Sequence, residues 1–171
     1  MSLILSGNSG SMTVDSTAGV TFPAGGNPQA APSKVLQVVQ GSYSTQTSTV
    51  SASYVTTGLT ATITPLFSTS KILIFVQDAV QNSSSVNGCI FTVFRGTTSG
   101  TDLGTSGQGF GNYSTGSGGA LYGIYNISII DSPTTTSATT YTFAMLARGG
   151  TSAVAQSGGA ISNMILMEIA A

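Results

Sequence analysis

The chain has 171 residues, and only nine are charged: four Lys and Arg against five Asp and Glu, for a net charge of −1. Soluble domains usually carry about 25% charged residues, so the 5% here is a strong departure. A near-neutral chain lacks the basic surface that duplex nucleic acid or an anionic membrane demands. Because there is no His, triads built on imidazole, zinc sites of the HExxH type and imidazole proton shuttles are excluded.

The single Cys89 can neither close an intrachain disulfide nor build a multi-thiolate metal cage. No cofactor and no metal are therefore expected. Residues 1–10 hold only Leu3, Ile4 and Leu5 as an apolar run and lack a basic leader, which does not read as a secretory signal. The longest apolar run, 72–76, is far short of the roughly 20 residues that span a bilayer. A soluble, unprocessed chain without membrane insertion is the expectation. Low charge combined with 40% hydrophobic residues opposes association only weakly, so the chain suits an assembly better than a free monomer.

Residues 1–33 are rich in Gly, Ser, Ala and Pro, with Pro23, Pro28 and Pro32 separating short apolar pieces at Leu3, Ile4, Leu5 and at Val20 and Phe22. Pro removes backbone donors and keeps its neighbours extended, so this stretch reads as an extended N-terminal arm. From 34 to 171 the pattern changes to short runs of Val, Ile, Thr, Tyr and Phe separated by Gly, Ser and Asn clusters, the signature of an all-β domain. Strands are predicted at 35–40, 59–64, 71–77, 89–95, 122–130, 141–147 and 161–169. Strict alternation places Leu59, Ala61 and Ile63 on one face. It likewise sets Tyr125, Ile127 and Ile129 against Asn126 and Ser128.

Two strands break the rule. The run 72–76 is apolar on both faces, and the last strand carries Met164 and Leu166 opposite Ile165, Met167 and Ile169. A strand apolar on both faces needs cover on its outer side. A subunit partner over Ile72, Ile74, Met164 and Leu166 is the expectation, with a covering loop of the same chain as the alternative. The tract 97–120 is a long Gly-rich loop holding Phe110, Asn112 and Tyr113. Loops of this length are uncommon and usually functional. Aromatic faces and amides suit uncharged sugars, so these three are candidate ligand residues, although bracing of the loop explains them as simply. The acids Asp15, Asp78, Asp102, Asp131 and Glu168 are scattered singly and form no motif for paired-carboxylate hydrolysis; no enzyme activity is expected.

Several short motifs follow one another in order: GLTATITP at 58–65, SKILI at 70–74, FRG at 94–96, IDSP at 130–133, Tyr141, and NMILMEI at 163–169. This order resembles the β-sandwich heads of virion proteins of tailed bacteriophages, of the tail-fibre, head-fibre and capsid-decoration types. GVTFP at 19–23 is also similar to a segment preceding such heads, although the acidic-Gly turn usual there is replaced by Ala24, Gly25 and Gly26. The resemblance implies an antiparallel jelly-roll-like sandwich, a homotrimer on the virion surface, capsid or tail, and an arm binding other virion proteins through Leu3, Ile4, Leu5, Val20 and Phe22. It leaves a second role open, a fibre tip engaging host surface glycan.

Overall fold

The structure, a computed structural model, describes residues 34–83, 87–114 and 119–170. The expected arm at 1–33, with Leu3, Ile4, Leu5, Val20 and Phe22, lies outside these residues.

Eleven strands form two antiparallel sheets: β1 (Val35–Tyr43), β2 (Thr47–Thr49), β3 (Val55–Ile63), β4 (Lys71–Asn82), β5 (Cys89–Arg95), β6 (Thr101–Asp102), β7 (Asn112–Tyr113), β8 (Leu121–Asp131), β9 (Thr139–Ala147), β10 (Ala153–Ala155) and β11 (Ser162–Ile169). The first sheet, sheet A, runs β1-β11-β4, with β8 on the far side of β4, and β10 and β2 continue beside β4 where β11 leaves it. Sheet B runs β3-β9-β5, and the short β6 and β7 pair with β5. Pairing is nested: β1 with β11, β3 with β9, β4 with β8, and β5 with β6 and β7. One long antiparallel ribbon folded across itself gives this order, and it is that of a jelly roll.

The alternation seen in the sequence sets the core. Leu59, Ala61 and Ile63 of β3, with Tyr141, Phe143 and Met145 of the neighbouring β9, meet Ile72, Ile74 and Val76 of β4 and Met164 and Leu166 of β11. All of these are buried, each contributing about 1.5–3 kcal/mol when a large apolar side chain leaves water. Phe91 of β5 lies at the centre, stacked on Phe143 at 5.7 Å and tilted against Tyr125 at 4.9 Å.

Ile72, Ile74, Met164 and Leu166, expected to meet another subunit, are fully buried inside the sandwich. The correction concerns the phase of alternation. On β4 and β11 the partners turned outward are Leu73, Phe75, Ile165 and Met167, which are exposed or half-buried.

In sheet B, by contrast, the outer side of β5 is covered by its own chain. Ile90, Thr92 and Phe94 of β5 point away from the core yet are buried. Leu103 and Phe110 donate backbone N–H groups to Val93 and Phe91 carbonyls at 2.9 and 3.2 Å, so the Gly-rich tract closes the free edge of β5. Tyr54 adds an edge-on contact to Phe94 at 5.3 Å. This cover lies over β5; β4 and β11, where a covering loop is the alternative to a partner, have no such cover among the described residues.

At one margin the two sheets come very close. A Cβ added at Gly41 of β1 would sit 2.0 Å from the Thr60 carbonyl oxygen of β3. Further along β3, the bulge between Thr56 and Thr60 holds Gly58 at φ +90 beneath the Tyr43 ring, and the Thr57 hydroxyl donates to the Phe143 carbonyl at 3.0 Å. Gly41→Ala pushes backbone against backbone and is expected to destabilise the chain by about 1–3 kcal/mol, as overpacking does; thermal unfolding of the variant beside the parent checks this.

Candidate interaction surface

The described carboxylates are each taken up by the fold. Ile72 of β4 pairs with Glu168 of β11 on one side and Asp131 of β8 on the other, so both carboxylates point inward from the same row. Asp131 accepts the Tyr141 hydroxyl at 2.8 Å and a two-pronged contact from Arg95 Nη1 at 3.1 Å, tying sheet A to two strands of sheet B. Glu168 accepts Gln37 Nε2 at 2.6 Å and the backbone N–H groups of Leu66 and Phe67 at 2.8 and 3.3 Å, fixing the loop that leaves β3. Asp102 accepts the Thr92 hydroxyl and the Gly104 N–H, closing the turn after β6.

Asp78 has a different task. Beside β4, β11 ends its pairing at Gln77 and β10 begins at Gln81. The Asp78 carboxylate stands at this gap, accepting the Gln156 N–H at 2.9 Å, Gln156 Nε2 at 3.2 Å and the Ser162 hydroxyl. These bonds hold the corner between the two strands, where Gln156 adopts φ 50, a left-handed conformation uncommon outside Gly.

The Asp78 and Glu168 carboxyls are shifted in opposite directions. Burial raises the Asp78 carboxyl above its ordinary value of 3.8, only partly offset by the Ser162 and Gln156 donors. Burial also acts to raise Glu168, but the donors from Gln37, Leu66 and Phe67 outweigh it and hold the carboxyl below its ordinary 4.5. Burial pushes Tyr141 up, reinforced by its bond to Asp131, and lifts the Cys89 thiol to about 11, leaving that buried cysteine protonated and inert. No cluster of three or more metal-ligating side chains occurs among the described residues.

The three candidate ligand residues of the Gly-rich tract do not form one surface. Tyr113 is half-buried, with its ring edge-on to Phe91 at 6.5 Å and to Tyr125 at 6.2 Å, so it braces the loop. Asn112 packs over Gly88, where no Cβ would fit. Phe110 alone lines an open groove, with Leu103, Thr105 and Gln108.

The outer face of sheet A is a different matter. Cross-strand register lays out a row Val38–Met167–Leu73–Ile130, apolar on all four strands. Next to it runs Gln40–Ile165–Phe75–Ser128, and then the fully polar row Ser42–Asn163–Gln77–Asn126. Val38 is 55% exposed, Phe75 38% and Ile130 59%. Between the apolar and amide rows lies a shallow depression of about 480 Å³ whose lining includes Phe75, Gln40 and Asn126; Gln40 Nε2 donates to Asn163 Oδ1 across it at 2.8 Å. Lys71, at one end of β4, is the one charged side chain on this face among the described residues. The sequence held a signal for this phase, since Lys71 and Gln77 share the parity of Leu73 and Phe75, but Asp78 on the opposite parity masked it.

The fold is an all-β jelly roll in which β5 of sheet B is wrapped by its own chain, while the described residues leave the outer face of sheet A open. No protein-family model matches the chain, and no curated protein matches its sequence. Among solved structures, VP2 of infectious bursal disease virus, in its subviral particle, is similar with a TM-score of 0.39 and 15% identity, over 78% of this chain and 38% of that one. The chain therefore spans about two fifths of the length of the VP2 chain.

Two expectations follow for stability. Tyr141→Phe removes one buried hydrogen bond and is expected to cost about 1 kcal/mol, with Asp131→Ala costing more because it strands the Tyr141 hydroxyl; urea denaturation measures both. For pH, Glu168 contributes stability that is present above 4.5 and lost as pH falls through its lowered folded value. Asp78 contributes stability that is present below 3.8 and lost as pH rises through its raised folded value. By linkage, Glu168→Gln becomes less stable relative to the parent as pH rises through the acid range, and Asp78→Asn becomes more stable relative to it. Denaturation midpoints across a pH series test the two opposite slopes.

Proposed function

We propose that the chain is a non-enzymatic structural subunit of a virion surface. It acts as a capsid decoration, head-fibre or short fibre protein of tailed-phage type that assembles as a homotrimer and is anchored to other virion proteins through residues 1–33. The observation that carries this reading is the outer face of sheet A, left open by the described residues, nearly uncharged and crossed by an apolar row. A sandwich of this kind is suited to lying against neighbours in a closed assembly, where symmetric closure hides sheet faces and edges. The motif order from GLTATITP at 58–65 to NMILMEI at 163–169, which resembles phage virion heads, supports the setting. The engagement of Asp78, Asp102, Asp131 and Glu168 in hydrogen bonds that hold the fold supports a role without catalysis.

The test uses phage particles lacking this protein, to which the full chain and a chain beginning at Ser33 are added. Attachment of the full chain alone is expected. Failure of both to attach, together with binding to host cells that shortening 101–111 abolishes, overturns the structural role in favour of receptor recognition.

A further inference from the structure

Extending the assembly proposed above, we infer that the outer face of sheet A is the self-association surface of this chain and that its occupant is a second copy of the same chain. The surface is centred on Val38, Leu73, Phe75, Ile130, Ile165 and Met167. It rests on that reading only for the number of copies, three; the choice of face rests on the arrangement of side chains.

Three features select a second copy over another partner. The first is charge. A partner identical to this chain brings its own charges to the contact, and like charges brought together there cost several kcal/mol. Here Lys71 stands at the end of the face, while Glu168 and Asp131 of the same strands are turned into the core. Copies can therefore meet without like charges at the centre.

The second feature is self-complementary polarity. The row Ser42–Asn163–Gln77–Asn126 consists of hydroxyl and amide groups, each both donor and acceptor. Where three such faces meet about a three-fold axis, the hydroxyl and amide groups of neighbouring copies can both donate to and accept from this row without exact row-on-row matching, whereas an acidic or basic partner would find nothing of opposite sign.

The third feature is extent. Four strands about 4.8 Å apart, each of some ten residues rising about 3.3 Å per residue, make a face on the order of 600 Å². A standard interface takes about 800 Å² from each partner, so this face supplies most of one. The edge strand β8 carries the face to its margin, with Tyr122 and Ile124 exposed beside Ile130. An uncharged, apolar edge of this length invites uncontrolled pairing unless a partner covers it, and closure by rotation supplies that cover without open-ended growth.

The experiment is light scattering on the full chain and three variants. Val38→Lys and Ile130→Lys place a charge on the apolar row at positions already exposed, so the sandwich itself is not disturbed. Thr60→Lys places the same charge on the exposed outer side of β3 in sheet B. The parent and Thr60→Lys are expected at three chain masses, and Val38→Lys and Ile130→Lys at one, all four unfolding cooperatively. A parent that is already a single chain at high protein concentration overturns the inference, as does an oligomer indifferent to lysine at 38 and 130. A monomeric parent whose binding to a neutral glycan array is lost on Val38→Lys overturns it too and assigns the face to a saccharide. Particle attachment, measured separately, keeps the two proposals apart. An oligomer that responds to the lysines but does not attach leaves this inference standing and removes the virion role, and an attaching monomer does the reverse.

Discussion

The row Glu168–Ile72–Asp131 is the constraint on which the rest of the sandwich depends. Ile72 fills the core, and the two carboxylates beside it stay buried because each is met by donors from elsewhere in the chain. Asp131 reaches β5 and β9, and Glu168 reaches the loop that leaves β3. Burying a carboxylate without partners is prohibitive, so this row is stable only when both sheets are in register. Acid groups, scarce in this sequence, thus serve as registration marks. Specificity of arrangement is what buried polar groups provide in some proteins, and these two meet the requirement geometrically, since neither is satisfied by its own strand.

Much of this architecture was legible in the residues. The strands at 71–77, 89–95 and 141–147 were visible through β-branched content, and β5 has the predicted bounds. Leu59, Ala61 and Ile63 face the core as their alternation requires. What escaped was of two kinds. Strands β2, β6, β7 and β10 have only two or three residues, too few for a period of two to show, and they exist because longer strands offer them an edge. The inward face of β4 and β11 was misassigned because 72–76 is apolar throughout and the charged Asp78 and Glu168 share the parity of the inward side chains, which masked the outward signal of Lys71 and Gln77. Tertiary context decides there, through the partners of Asp78, Asp131 and Glu168, which lie 10 to 131 residues away.

The surface divides along the same lines. The free edge of β5 in sheet B is closed by residues that follow it directly, so that part of its cover is local in sequence. Sheet A has no such neighbour among the described residues, and its outer side keeps rows of apolar and amide groups in register across four strands. Tyr113, read from the sequence as a candidate for ligand contact, instead braces the loop from below. An aromatic residue within a Gly-rich tract therefore reports equally on anchoring and on recognition, and only the direction of its ring separates the two.

The nested pairing of strands also sets a timetable. β1 pairs with β11, matching Val35 to Ile169, so the first of the described strands has its partner in the last. Long-range pairing of this kind slows folding, because loop-closure entropy is lost before the contacts that reward it form. Until β11 emerges, β4 lacks one of its two edge neighbours along 71–77. The chain's near-absence of charge gives this interval little electrostatic protection against aggregation. Synthesis rate and local concentration of nascent chains thus become determinants of yield for a sandwich closed by its outermost pair of described strands.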